Sequence, residues 1–292
     1  MNRPIYSWSC FTLLLVTLLV PGRLNAAEYF LGQGTMSGEV DASSALVQTR
    51  LTASTTLDED GDLPGIEGLV RFDWGTDSEL AAANQTQLRR ATEETDYIVR
   101  VKLDALRPET TYYYRAVFGP DRSSLRQGPI CSFKTLPGID SSSRVRFIIG
   151  SCMNYNKFMH GKLGNAGGPI TATEEDKRLG FPAFETMRRL RPDFFVGTGD
   201  IVYYDNPYRR SETVRELRRC WHEQFRFRRL IDFFADVPTY WSKDDHDFRY
   251  NDSDNSSERL PLPKTGIDLF HEQLPIAAVD DPNAKMYRTH RV

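Results

Sequence analysis

Three short stretches of the 292-residue chain concentrate side chains that bind metals or move protons. They are Gly150-Ser151-Cys152-Met153-Asn154, Gly197-Thr198-Gly199-Asp200-Ile201-Val202-Tyr203-Tyr204-Asp205, and Trp241-Ser242-Lys243-Asp244-Asp245-His246-Asp247-Phe248-Arg249-Tyr250-Asn251-Asp252. Taken singly, each has a plain reading: a small buried Cys, a tight turn whose Asp caps a helix, a solvated acidic loop. Adjacent carboxylates beside His246 nevertheless repel one another unless a cation or an Arg compensates. Together, hard carboxylate and amide oxygens, one imidazole and one potential thiolate make a cage for one or two cations of mixed hardness. Two cations about 3.5–4 Å apart can hold both oxygens of an in-line displacement, lower the pKa of a bridging water and neutralise charge developing on a phosphate.

Each stretch closes an apolar run of strand type, and in α/β architectures sites assemble at the carboxyl ends of strands. The runs cover residues 145–150, 194–197 and 237–241. A helix is expected over 182–190, and a long amphipathic stretch over 213–234, opened by a Thr213-x-x-Glu216 capping box. Leu217, Trp221, Phe225 and Leu230 share one face of that stretch. Arg215, Arg218, Arg219, Arg226, Arg228 and Arg229 cover the rest, read as a solvated flank in preference to an anion-binding surface.

Ahead of this α/β part, residues 38–135 are strand-like, with segments at 45–52, 68–74, 97–103 and 111–118. Turn clusters such as Asp60-Gly61-Asp62 and Arg107-Pro108-Glu109 separate them. Strict alternation from Tyr97 to Leu103 predicts half-buried antiparallel strands, and a small β-sandwich accommodates a span of about 100 residues. The run from Leu106 to Arg115 resembles the L-x-P-x-T-x-Y-x-Y-R corner of fibronectin type III-like modules, where its job is packing. Residues 137–143, Pro-Gly-Ile-Asp-Ser-Ser-Ser, read as a linker.

Composition narrows the possibilities. With 40% hydrophobic and 26% charged residues the chain is globular in type, and 37 basic against 40 acidic residues give no basic field that would attract nucleic acid. Arg3, the apolar run 11–20, Pro21 and the small residues near Ala26 form a secretory signal pattern. The run is shorter than the ~20 residues a membrane span needs, and no later stretch competes. Residues 1–26 are therefore expected to be a signal peptide, the protein to be exported to the periplasm or the medium, and no transmembrane segment to remain after cleavage. Export leaves Cys131, Cys152 and Cys220, an odd count that internal disulfides cannot close.

From Phe147 onward the chain resembles the PhoD-like alkaline phosphatase family of the metallophosphoesterase superfamily. The matching pieces are Gly150-Ser151-Cys152, the run from Arg191 to Tyr203 (RPDFFVGTGDIVY), and the run from Val237 to Phe248 (VPTYWSKDDHDF). They stand in the family's order and spacing, and the β-region in front matches its usual N-terminal module. The resemblance implies that Cys152 supplies a thiolate to a ferric ion, Fe3+, and that Asp200 bridges this iron to a second metal, Ca2+. It further implies that Tyr203 gives a phenolate to the iron, that Asn251 binds the calcium, and that His246 and Asp245 lie at the phosphate side. A carboxylate such as Asp200 offers the lone pairs a bridge needs, and such ligands bind deprotonated, so affinity rises with pH. Lys243 stands where many members have Trp, and Met153 where Gln is frequent. Asn251-Asp252-Ser253 also matches a glycosylation sequon, a role that excludes metal binding at Asn251.

The chain stops at Thr289-His290-Arg291-Val292, whereas the superfamily takes further His and Asp ligands from later strands. His271 and His290 remain as late candidates, and neither has the expected context. The implied architecture is a fibronectin III/Ig-like β-sandwich over 27–137, a linker over 138–143, and an incomplete α/β (αββα) metallophosphatase domain over 144–292 whose C-terminal half is missing. The implied function is an exported metal-dependent phosphoric ester hydrolase, a phosphomonoesterase or phosphodiesterase on a small phosphate ester. Hydrolysis by the 292-residue chain itself is expected near background. The alternative is a non-catalytic exported β-sandwich protein with a remnant metal- or partner-binding half.

Overall fold

Apolar side chains at alternate positions build two sheets in the N-terminal part of the computed structural model, which describes residues 28–161, 172–207, 209–256 and 258–276. The signal-peptide expectation over 1–26 and the candidate His290 lie outside the described residues. Nine strands come first: β1 (Thr35–Gly38), β2 (Ala45–Arg50), β3 (Gly68–Gly75), β4 (Asn84–Gln85), β5 (Arg89–Ala91), β6 (Ile98–Leu103), β7 (Thr111–Gly119), β8 (Arg126–Gln127) and β9 (Cys131–Lys134). One sheet runs β4-β3-β7-β8, with β5 on β3 and β9 on β7, all antiparallel. Its inward side chains, Val70, Phe72, Tyr114 and Phe133, close on Val47 and Val101 of the facing layer. The Leu106–Arg115 corner packs as expected: the Arg107 amide donates to the Tyr112 hydroxyl at 2.9 Å.

The α/β part adds β10 (Phe147–Gly150), α1 (Tyr155–His160), α2 (Glu174–Leu179), α3 (Pro182–Arg189), β11 (Phe194–Gly197), α4 (Val214–Phe225), α5 (Arg228–Asp236), β12 (Thr239–Trp241) and α6 (Pro263–Gln273). The Thr213/Glu216 capping box forms at the start of α4. The single amphipathic stretch expected over 213–234 is two helices. Phe227 takes an extended backbone (φ −61°, ψ 131°) and buries its ring against Tyr155, Phe158 and Phe181, which breaks the helix while the apolar periodicity continues. Four arginines of that flank are in ion pairs: Arg215 with Asp60, Arg218 with Glu272, Arg228 with Asp232 and Arg229 with Asp176.

Strands β10, β11 and β12 are parallel, with Ile149 opposite Val196 and Val196 opposite Tyr240. The sheet does not end there. Strand β12 pairs in parallel with β1, giving a six-stranded sheet in the order β10-β11-β12-β1-β2-β6 that spans the β-rich and α/β parts. Thr239 Oγ1 donates to the Ser37 carbonyl at 3.0 Å, and the Tyr240 hydroxyl donates to the Val40 carbonyl. One side of the α/β strands carries an aromatic core of Phe184, Phe195, Trp221, Phe225, Phe233, Phe234 and Trp241. Among the described residues no helix is long and apolar enough to cross a membrane.

Candidate metal centre

The ends of β10, β11 and β12 lie side by side, so the three chemically distinctive stretches meet. Backbone bonds join the first two: the Met153 amide donates to the Asp200 carbonyl at 2.9 Å, and the Cys152 amide to the Gly199 carbonyl at 3.3 Å. Cys152 (φ +58°) and Asp200 (φ +55°) both take left-handed backbone, a conformation costing non-glycine residues about 1–3 kcal/mol and concentrated at functional sites. The glycines before Asp200 are required by close approach. A Cβ on Gly197 would overlap the Trp241 ring, and one on Gly199 would overlap Asp244. The third end is held to the second by Asp247, fully buried, which accepts from the Ile201 amide at 3.0 Å and the Asp244 amide at 2.7 Å. Burial pushes the Asp247 carboxyl up to about 7 against the pull of these two amides.

Asp200 is the centre of the arrangement. Its Oδ2 accepts from the Tyr203 hydroxyl at 2.9 Å and lies 3.6 Å from Cys152 Sγ. Its Oδ1 is buried with no hydrogen-bond partner among the described residues. Asp200, Asp245 and His246 bring one ligand atom each to within 4.8 Å of one another. His246 stacks at 4.3 Å on the Tyr203 ring, and its Nδ1 is bonded to Asp205 Oδ1 at 2.8 Å.

The electrostatics follow from this crowding. Burial would lower the His246 pKa, but the Asp205 hydrogen bond and the charges of Asp205, Asp200 and Asp245 outweigh it and hold it raised. Burial likewise would raise Asp205, yet the bonds from His246 and from the Asn251 amide hold it below the ordinary carboxylate range. Burial and the adjacent Asp200 carboxylate push the Tyr203 phenol up, so without a cation it keeps its proton. A cation beside Asp200 reverses that logic.

Four sequence-predicted residues, Asp200, Tyr203, Asp245 and His246, therefore stand together, with Cys152 against Asp200. Asn251 is placed differently: its side-chain amide donates to Asp252 at 2.6 Å and its backbone amide to Asp205 at 2.9 Å. His271 sits on α6, where its carbonyl accepts from Arg100 at 2.8 Å. Two residues not singled out by sequence complete the site. Asp205 fixes which nitrogen His246 presents, the usual arrangement behind a metal-binding imidazole. Asp247 fixes the third strand end. The only signal for either was membership of the acidic stretches.

Residues 20–137 match the family model of the PhoD-like phosphatase, N-terminal domain, which is less than half of the chain. The fold as a whole is similar to a solved structure of PhoD, with TM-score 0.68 and 20% identity over 90% of this chain and 50% of that one. It is also similar to purple acid phosphatase PPD1 from seeds of yellow lupin (Lupinus luteus), with TM-score 0.52 and 12% identity over 87% of this chain and 42% of that one. No curated protein matches the chain significantly. The resemblance to the PhoD-like phosphatases read from the sequence is thus shown, by family match in the N-terminal domain and by fold in both parts. The chain spans half or less of the length of these two phosphatases.

Proposed function

We propose that the chain carries metal ligands of an exported, metal-dependent phosphoric ester hydrolase of the alkaline phosphatase D-like phosphomonoesterase or phosphodiesterase type. The observation that supports this most is the Asp200 carboxylate: one oxygen buried without a partner among the described residues, the other shared by Tyr203 and Cys152. A buried anionic oxygen with no donor is costly unless a cation completes it. A thiolate, a phenolate, a carboxylate and an amide oxygen suit a trivalent ion next to a divalent one. In this reading Cys152, Tyr203 and Asp200 would hold Fe3+, and Asp200 and Asn251 would hold Ca2+. Such a pair of ions supplies Lewis-acid polarisation of the phosphoryl oxygens and a water of lowered pKa. Tyr203, whose hydroxyl donates to Asp200 at 2.9 Å, would bind as the phenolate, its proton passing to solvent. Asp205 holds His246 Nδ1, so His246 offers Nε2 towards the phosphate together with Asp245.

The same reading divides the chain into a signal peptide over 1–26, a fibronectin III-like module over 27–137, a linker over 138–143 and a metallophosphatase part from 144. The bond from the Arg107 amide to the Tyr112 hydroxyl supports this division, since a tyrosine corner of β-sandwich modules makes a contact of that kind. Metal analysis of the purified 292-residue chain is the test: iron and calcium bind, and Asp200→Asn loses both. Binding of neither ion sinks the proposal. Hydrolysis of p-nitrophenyl phosphate at alkaline pH by the 292-residue chain is expected to stay near background.

A further inference from the structure

Away from the strand ends, a set of buried charges joins the β-rich part to α4. His222 is 2% exposed, and both its ring nitrogens face carboxylates: Nδ1 lies 2.5 Å from Asp62 Oδ1, and Nε2 lies 2.6 Å from Asp96 Oδ2. Asp96 also accepts from Arg50 Nη2 at 2.9 Å and from Gln273 Nε2 at 2.8 Å, which brings the end of α6 into the same network. Asp62 and Asp96 belong to loops of the β-rich part, so the network crosses between the two parts of the fold.

The neighbours of His222 on α4 reach the acidic turn. Trp221 Nε1 donates to the Tyr204 hydroxyl at 2.7 Å, and Gln224 Nε2 donates to the Ile201 carbonyl. Tyr204 and Ile201 are fully buried and alternate along the turn with Asp200, Tyr203 and Asp205. A helix moves as a rigid element, so a shift of α4 is passed to the turn through these two bonds.

We propose that His222 is a positioning residue: the Asp62–His222–Asp96 clamp sets the place of α4 and, through Trp221 and Gln224, the place of the turn that carries Asp200. The β-rich part is then a support of the site and not an appendage to it. The proposal extends the functional reading above, but the position of the turn is measurable without metal or substrate.

The experiment is hydrogen exchange by mass spectrometry on the 292-residue chain, His222→Gln and Asp62→Asn. Gln keeps much of the volume and reaches only one carboxylate. Peptides covering residues 200–205 are expected to exchange at least tenfold faster in His222→Gln, and several-fold faster in Asp62→Asn. Peptides from β7 and α3 keep the parent rate. Unchanged exchange at 200–205 in a folded variant overturns the proposal. So does an equal acceleration in β7 and α3, which marks general loss of stability. If His222→Gln fails to fold, Asp62→Asn decides by the same criteria. Calcium and ferric titrations form a separate arm, in which Asp62→Asn weakens binding. A parent chain that binds neither ion refutes the functional reading and leaves the exchange criterion to judge the clamp.

Discussion

Gly199 and Asp244 meet backbone to backbone: at φ +100°, Gly199 leaves no space for a Cβ beside the Cβ and amide nitrogen of Asp244. This contact sets the spacing between the second and third strand ends, and hence between Asp200 and Asp245. Gly199→Ala combines a disfavoured backbone with a steric overlap, and is expected to destabilise the protein by about 2–3 kcal/mol. Urea unfolding measures it. A midpoint equal to that of the parent would mean that the two loops are free to separate.

The three cysteines of the described residues differ in access and in ionisation. Cys152 is exposed beside Asp200, whereas Cys131 and Cys220 are buried, and burial pushes the thiols of both up to about 12. Iodoacetamide is expected to modify Cys152 first, with the buried pair slower by roughly a hundredfold or more, in keeping with thiolate control of reactivity. Peptide mapping reads the order. Addition of ferric ion is expected to protect Cys152 alone, and equal labelling of all three thiols would remove its special place.

What the sequence made legible was the chemistry of the strand ends, because Cys152, Asp200 and the Asp245-His246 pair each follow an apolar run whose direction is local information. The roles of individual carboxylates within those stretches were not legible. Asp205 and Asp247 differ from Asp252 only in where the backbone aims them, and that follows from turns such as the positive φ of Asp200 and from contacts such as Ile201 with Asp247. The break at Phe227 was hidden because the apolar periodicity runs through it. The union of the sheets was hidden for a different reason. It rests on a Gly38–Thr239 pairing between strands far apart in sequence, and nothing near either residue announces the other.

Arg100 of β6 shows how closely the β-rich part supports the helices. Its guanidinium donates to the carbonyls of His271, Glu272 and Ile276, each at 2.8 Å, around the end of α6. A cation placed on terminal helix carbonyls satisfies acceptors that have no partner within the helix and complements the helix dipole. Arg100→Gln is expected to cost about 2 kcal/mol, the usual scale for hydrogen bonds to a charged group. Amides of α6 exchange faster in that variant, while β7 keeps its protection. Equal protection of α6 in both proteins would show that its end is held by packing alone.

Glu223 gives a pH dependence with a definite sign. It is buried on α4, and desolvation pushes its carboxyl up to about 7 although Arg209 lies 3.1 Å away and Arg219 and Arg226 also pull it down. A carboxyl whose pKa rises from an unfolded value of 4.5 to about 7 on folding binds more protons in the folded state across that interval. Its contribution to stability is complete below the unfolded value and is lost as pH rises through the folded one. Glu223→Gln removes this titration. Between pH 4.5 and pH 8 the parent is therefore expected to lose about 3 kcal/mol relative to Glu223→Gln, because a tenfold change in proton affinity between the folded and unfolded states is worth about 1.4 kcal/mol. Paired urea melts at the two pH values isolate the effect, because all other titrating groups are common to both proteins. A constant difference across that range would show that Glu223 stays ionised beside Arg209 and that the ion pair outweighs its burial.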